Sequence, residues 1–149
     1  YCYFKDKKDI FIASHEYFLD SHLRPILDEM NNLKKPVDTK VLIDKCIDLL
    51  IDLYTNSGQT IHELGLMQES DPEIMQYFAA YEDMIFSSLV KVFDAQPHIK
   101  TYLHEKIYLL YSIADILGQE HAFHYHAINL EILRQQITGM LNHLFAQME

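Results

Sequence analysis

Three histidines lie close together in the segment EHAFHYH, at His121, His124 and His126. Imidazole is the commonest metal ligand in proteins, and histidines three positions apart on a helix share one of its faces. A metal site completed by a ligand from a second copy of the chain is therefore one interpretation. A structural or pH-sensitive role is the other, because the segment joins two predicted helices. The second interpretation is favoured, so neither a metal nor another cofactor is predicted.

The sequence lacks the motifs of common catalytic sites. His62-Glu63 and His104-Glu105 are not followed by the second histidine of an HExxH zinc-protease helix,. No Glu-x-x-His pair could build a di-iron helical bundle, and the P-loop, GxSxG and GxGxxG patterns are absent. With four glycines in all, a loop that cradles phosphate is not expected. We therefore predict that the chain is not an enzyme.

Composition indicates a single all-α domain. The chain has 149 residues, of which 49% are hydrophobic, with four glycines and four prolines. A chain of this length can bury a core without help from a disulfide or a metal, and the scarcity of turn residues disfavours β proteins and disordered ones. Cys2 and Cys46 lack the spacing of a zinc site or a disulfide framework, so both are predicted to be reduced thiols,.

The charge balance restricts the possible partners. The 22 acidic residues against 12 basic ones give a formal charge of −10, which repels a polyanion over most of the surface. Charged residues interrupt every apolar run, and no signal-peptide pattern opens the sequence,. We therefore predict a cytoplasmic protein with no membrane partner, in which nucleic-acid binding resides mostly outside this chain.

Capping residues and apolar stripes predict about six helices. Asp6 and Asp38 precede amphipathic stripes, and residues 71–73 read Asp-Pro-Glu, which supplies an N-cap oxygen, a proline at the first helical position and an acid near the positive end of the helix,. Pro25 predicts a kink or break near His22. The predicted helices cover approximately residues 6–33, 38–56, 59–69, 71–96, 98–118 and 126–147, with breaks at Asn56-Ser57-Gly58 and at Gly118.

The last two helices are more apolar than a small domain requires. Residues 107–117 read IYLLYSIADIL, which is apolar around nearly the whole circumference, so this helix has to be covered on all sides. Two antiparallel pairs related by a two-fold axis would make a four-helix bundle between subunits. A monomeric bundle centred on both helices is the alternative, and the homodimer is favoured. The predicted interface residues are Ile107, Leu110, Ala114, Leu117, Ile132, Ile137, Met140, Leu141 and Leu144.

The first eleven residues, YCYFKDKKDIF, combine aromatic residues with a basic cluster. This stretch resembles the end of the helix-turn-helix in the tetracycline-repressor-like (TetR/AcrR) family of transcriptional regulators. The matching positions are Tyr1, Tyr3, Phe4, Lys7 and Ile10. The ESDPE stretch at residues 69–73 is similar to the segment that separates two later helices of that family. The order of helices is similar throughout.

The resemblance implies a division of the chain and a function. Residues 1–5 are interpreted as the remnant of a DNA-binding head that is otherwise missing, and residues 6–149 as a helical ligand-binding and dimerisation domain. The implied protein is a ligand-responsive transcriptional regulator, expected to be a repressor, which forms a homodimer and binds operator DNA through the missing head. Tyr1, Tyr3 and Lys7 would then contact DNA phosphates, which position a protein without reading sequence.

In that family's scheme, a small and largely apolar effector in the helical domain changes the distance between the two heads, and the first helix is the lever. Candidate pocket residues are large or polar-tipped side chains on inward stripes, because a ligand cavity is mostly apolar with a few directing groups. For each residue taken singly, plain core packing is the alternative. The candidates are Phe18, His62, Leu66, Met67, Tyr77, Tyr81, Met84, His104, Tyr108 and Tyr111.

A competing hypothesis covers the whole chain. The same helices could form a dimerisation or protein-interaction module that binds neither an effector nor DNA. Three short helices with a basic balance upstream of this chain would favour the regulator, and any other upstream sequence would favour the module.

Overall fold

The computed structural model describes residues 3–96 and 101–146, and these residues form helices and turns without any strand. The all-α prediction is therefore confirmed. Each helix in the described ranges is too short or too polar to span a bilayer. The elements are α1 (Lys7–Phe18), a π-helical turn (Leu19–Leu23), α2 (Arg24–Asn32), α3 (Thr39–Gln68), α4 (Pro72–Asp94), α5 (Leu103–Phe123) and α6 (Leu130–Ala146).

Aspartates cap the N-termini of three helices, as predicted. Asp6 before α1 and Asp38 before α3 each accept a hydrogen bond of 2.9 Å from a backbone N–H of the first turn. Asp71 before α4 accepts hydrogen bonds from two such N–H groups. These carboxylates satisfy donors that the first turn of a helix leaves without an intrahelical partner.

α1, the π-helical turn and α2 form one continuous rod. Pro25 lies at the start of α2 and has no N–H to donate to the preceding turn,. The helix widens there, and the N–H of Arg24 reaches the carbonyl of Leu19. The kink predicted near His22 thus corresponds to the π-helical turn, which contains that residue.

The break predicted at Asn56-Ser57-Gly58 corresponds to a kink, at which two helical stretches meet. α3 continues through this segment with a kink at Ser57, where φ is −135° and ψ is 15°. The Ser57 hydroxyl donates to the carbonyl of Leu53 at 2.9 Å. A Cβ on Gly58 would lie 3.2 Å from the Phe123 ring, so the glycine allows close packing on α5. When α1, the π-helical turn and α2 are counted as one helix, the described residues form five helices and not the predicted six.

α3 and α5 pack along each other at the centre of the fold, with α1 and α6 also against α3. Gly118 does not end α5 as predicted. A Cβ at this position would lie 2.8 Å from the Leu50 carbonyl oxygen, so the glycine lets α5 approach the backbone of α3. α5 ends instead at Phe123, and His124, the C-cap residue that follows, has a φ of 50°. The predicted start of this helix at residue 98 and the end of α6 at residue 147 lie outside the described residues.

The core is built from apolar side chains of all the helices. Residues such as Leu42, Ile85 and Ile107 are fully buried. Cys46 is a free thiol in this core, and burial raises its pKa well above the usual range. Cys2 lies outside the described residues.

Candidate functional site

His15 of α1 is the centre of an interior aromatic cluster. Its side chain is fully buried, and its Nδ1 lies 2.5 Å from the Tyr77 hydroxyl of α4. The Tyr81 ring meets the imidazole edge to face, with 4.7 Å between centroids, and Phe78 lies beside them at 6.5 Å. We call these four residues the His15 cluster. It places the helix that follows the N-terminal motif in direct contact with the aromatic interior of α4.

The His15 imidazole is held in its neutral form. Burial lowers the pKa of His15 to about 4, because removing the ring from water penalises the cation,. The Nε2 atom is buried without a hydrogen-bond partner. Burial also raises the pKa of Tyr77 and of Tyr81, so both phenols keep their protons. The cluster therefore presents neutral, hydrogen-bonding aromatic rings to the interior.

A second set of hydrogen-bonded polar side chains links α3 to α5. The Tyr54 hydroxyl donates to Asp115 Oδ1 at 2.7 Å, and the Gln119 amide donates to Asp115 Oδ2 at 2.8 Å. Burial raises the pKa of Asp115, and the two hydrogen bonds oppose that shift. Burial raises the pKa of Tyr111 as well, and the nearby Asp115 adds to it. A carboxylate thus lies within the helix pair at the centre of the fold with its charge stabilised by two donors.

Two of the clefts among the described residues lie beside this interior. A cleft of about 280 Å³, which we call the π-turn cleft, lies beside the π-helical turn. A cleft of about 200 Å³, which we call the Phe123 cleft, lies between α3 and the end of α5. The π-turn cleft is lined by Phe18, Ser21, His22, Leu23, Pro25, Ile26, Leu49, Asp52 and Asn56. The Phe123 cleft is lined by Tyr54, Ile61, His62, Gly65, Leu66, Gln119, Phe123 and Tyr125.

The structure separates the ten predicted pocket residues. Phe18 lines the π-turn cleft, and His62 and Leu66 line the Phe123 cleft. Tyr77 and Tyr81 belong to the His15 cluster. The others lie elsewhere: His104 and Tyr108 are exposed in a groove beside Phe86 of α4, whereas Met67, Met84 and Tyr111 are half-buried against the core.

Most of the predicted dimer-interface residues are buried within the chain itself. As core residues of the single chain they are at most 6% exposed, which leaves no surface to offer a second copy. This part of the prediction is wrong for Ile107, Leu110, Ala114, Leu117, Ile137 and Leu141. Leu144 is half-buried against the core. Ile132 and Met140 of α6 are 55% and 58% exposed.

The predicted DNA contacts lie at the N-terminal end of α1. Tyr1 lies outside the described residues, and Tyr3 is 91% exposed. The Lys7 ammonium pairs with Glu63 of α3 at 3.2 Å, although 65% of the lysine side chain remains exposed. Lys8, beside it, pairs with Asp71 at 3.1 Å and with Glu73 at 2.7 Å. The basic cluster therefore ties the start of α1 to α3 and α4.

The three histidines near the end of α5 do not converge. His126 Nδ1 lies 2.5 Å from Glu120 Oε1, and this hydrogen bond lowers the pKa of Glu120. His124 occupies the left-handed position that ends α5, and His121 has a buried Nε2 without a partner. No group of three or more potential ligands in the described ranges is placed to hold a metal ion.

Sequence reasoning missed His15, Tyr54 and Asp115. A signal for His15 was available, since it falls on the apolar stripe between Phe11 and Phe18. Asp115 interrupts an otherwise apolar run four residues before Gln119, at the spacing of neighbours on one helix face,. The partner of each polar group comes from another helix, which spacing along the sequence does not give.

No family model, curated protein or solved structure matches the chain. The resemblance of the first eleven residues to the tetracycline-repressor-like family therefore stays a prediction.

Proposed function

We propose that the chain is the ligand-binding and dimerisation domain of a transcriptional regulator of the tetracycline-repressor-like type, acting as a repressor. The observation that carries the proposal is the position of His15. The helix that continues from the N-terminal motif inserts this buried side chain between aromatic rings of α4. A change in the interior therefore acts directly on the helix that would carry a DNA-binding head.

The proposed mechanism is linkage between two sites. Lys7 and Lys8 fasten the start of α1 to α3 and α4, and His15 fastens its middle to α4. An effector that repacks α4 or the first rod shifts the start of α1 and hence the attached head. In a dimer the two heads must match half-sites about 34 Å apart, so effector and DNA compete through one equilibrium.

The proposed dimer uses the outer face of the last two helices. Leu109 and Ile116 of α5 are 43% and 58% exposed, as are Ile132 and Met140 of α6 at 55% and 58%. α5 and α6 contact each other, and exposed apolar side chains on such neighbouring helices are typical of subunit contacts. We call these four residues the outer face. It replaces the inner positions that the sequence predicted, while the helix pair involved is the same.

The test uses the full-length gene product and fragmented genomic DNA of its source. At a stated salt concentration, the full-length protein should retain a small set of fragments that share a two-fold symmetric site. The 149-residue chain, with its net charge of −10, should retain none. A full-length protein that dimerises but retains no fragment in preference would contradict the regulator and favour the interaction module.

A further inference from the structure

The π-turn cleft has an apolar body. Phe18 and Leu23 of the first rod and Leu49 of α3 line it, and each is at most 7% exposed. The ring of His22 stacks on Phe18 with 4.8 Å between centroids and 9° between planes. This pair forms a flat wall at the side of the cleft. With a volume of about 280 Å³, the cleft suits a ligand no larger than one ring with a short chain.

Among the described residues that line the cleft, Asp52 is the one carboxylate, and none is a lysine or an arginine. Asp52 presents an exposed carboxylate that makes no ion pair with any described residue. The Asn56 amide nitrogen donates one of its two N–H groups to the Asp52 main-chain carbonyl at 2.8 Å, which leaves the other N–H as a donor and the amide oxygen as an acceptor. Pro25 contributes no N–H, so the backbone of this turn has fewer donors than acceptors. Ser21 and His22 can each donate or accept.

The negative charge of Asp52 and of the whole protein favours some ligands of this cleft over others. An anion would meet the Asp52 carboxylate and a protein of net charge −10, which repels it. A cation would be attracted by both, and a ring face beside it adds a cation–π contribution. A cationic donor with an apolar body therefore matches the site better than a neutral or anionic molecule of the same shape.

We propose that the π-turn cleft binds a small protonated amine with an apolar or aromatic body. Asp52 holds the ammonium group, and the body lies against Phe18 and Leu49. Binding joins the first rod to α3 at the point where the rod widens. The inference rests on the proposed function only in that it names the chemical class of the effector.

The test compares three probes of one shape with the 149-residue chain: 2-phenylethylamine, 2-phenylethanol and 3-phenylpropionate. Titration of the ¹⁵N-labelled chain at pH 7 should give saturable binding of the amine, at least tenfold tighter than of the alcohol, with no binding of the carboxylate. Amide shifts should centre on Ser21, Leu23 and Asn56. Equal affinity for the three probes, no amine binding at millimolar concentration, or shifts centred on Phe123 would each overturn the proposal.

A pair of variants on one helix tests the role of the carboxylate. Asp52→Asn should weaken amine binding about tenfold, to the level of the alcohol. Asp48→Asn, one turn earlier, removes an exposed carboxylate that pairs with Arg134 and should leave amine binding unchanged. Equal weakening in both variants would mean general attraction to an acidic surface and would overturn the site. If Asp52→Asn fails to fold, the comparison of probes on the unaltered chain decides.

The binding test contains no DNA, so the two proposals can fail separately. A chain that binds no amine leaves the regulator to be judged by the genomic-DNA experiment. A protein that binds the amine but retains no DNA fragment keeps the site and loses the regulator.

Discussion

At the scale of single residues, His15 links protonation to the stability of the interior. The folded state holds its imidazole neutral, with a pKa of about 4 compared with 6.5 for the free side chain. Between these values the unfolded chain binds a proton that the folded chain does not. Stability from this group is therefore complete above pH 6.5 and is lost as the pH falls towards 4.

The pH dependence of unfolding tests this assignment. Going from pH 7.5 to pH 5 should remove about 2 kcal/mol of unfolding free energy through His15, on the order expected for such a shift. His15→Gln cannot titrate and should lose this contribution, whereas His104→Gln, an exposed histidine, should keep it. Urea unfolding at the two pH values measures the difference. Equal pH dependence in His15→Gln and the unaltered chain would contradict a buried neutral imidazole.

Two glycines provide a matched test of packing between α3 and α5. Gly118→Ala would place a Cβ 2.8 Å from the Leu50 carbonyl oxygen, so we expect a loss of about 1–3 kcal/mol, as for overpacked cores. Gly139→Ala in α6 meets no atom within 4 Å and should gain about 0.5–1 kcal/mol from helix propensity. Urea unfolding of both variants measures the effects.

A loss of stability in both alanine variants would contradict this explanation, because the helix propensity of alanine is the same at either site. A gain in both would show that α3 and α5 do not approach closely at Gly118.

The burial of single residues was easier to predict from the sequence than the contacts that they make with other helices. Of the residues assigned to inward stripes, Tyr77 and Tyr81 are half-buried and buried, whereas Leu66, His104 and Tyr108 are exposed. The stripes did not give the hydrogen bond between Tyr77 and His15, because the two residues lie 62 positions apart. The same limit applies to Tyr54 and Asp115, whose contact depends on how closely two helices approach at Gly118.

At the scale of elements, the start of α1 is fastened by ion pairs. Lys8 bonds to Glu73 and Asp71, and these hydrogen bonds raise its pKa. Both acids belong to the N-terminal end of α4, where the helix dipole also favours a negative charge. This contact sets where α1 begins relative to α4, and the proposed lever depends on that position.

Hydrogen exchange tests this fastening. Lys8→Met should speed amide exchange in the first turns of α1 and leave α5 unchanged, because only the end of α1 loses its partner. Lys45→Met, which removes a single pair with Glu29, should leave α1 unchanged. Mass spectrometry of exchanged peptides measures both. Equal protection of α1 in Lys8→Met and the unaltered chain would contradict a lever that is held at its start.

The capped starts of three helices were predicted well, and the predicted ends near residues 33, 69 and 96 lie within two residues of the observed ends. The end predicted at Gly118 was wrong, and α6 begins at Leu130 and not at residue 126. An N-cap is a local event between a side chain and its own first turn, so Asp6, Asp38 and Asp71 could be recognised from sequence. Gly58 and Gly118 were both taken as helix ends because glycine commonly follows a helix, and α3 is kinked at Ser57, beside the first of them. Both serve close contact between α3 and α5, which is a tertiary property.

At the scale of the whole molecule, α5 and α6 carry apolar side chains both in the core and on the surface. The inner face, including Leu117 and Leu141, closes the core of one chain. The outer face of Leu109, Ile116, Ile132 and Met140 remains exposed. The sequence indicated correctly that these helices carry more apolar surface than one side can cover. It could not tell which face turns inward, because α5 is apolar around most of its circumference.

The oligomeric state of the chain is the most direct test of the proposed homodimeric regulator. Sedimentation equilibrium at micromolar concentration should give twice the chain mass of 17.6 kDa. Ile132→Glu should give the monomer, because a buried unpaired charge is costly at an interface. Met75→Glu, at an exposed position of α4, should remain dimeric. A stable 17.6 kDa species for the unaltered chain would contradict the dimer, and with it the coupling of two DNA-binding heads.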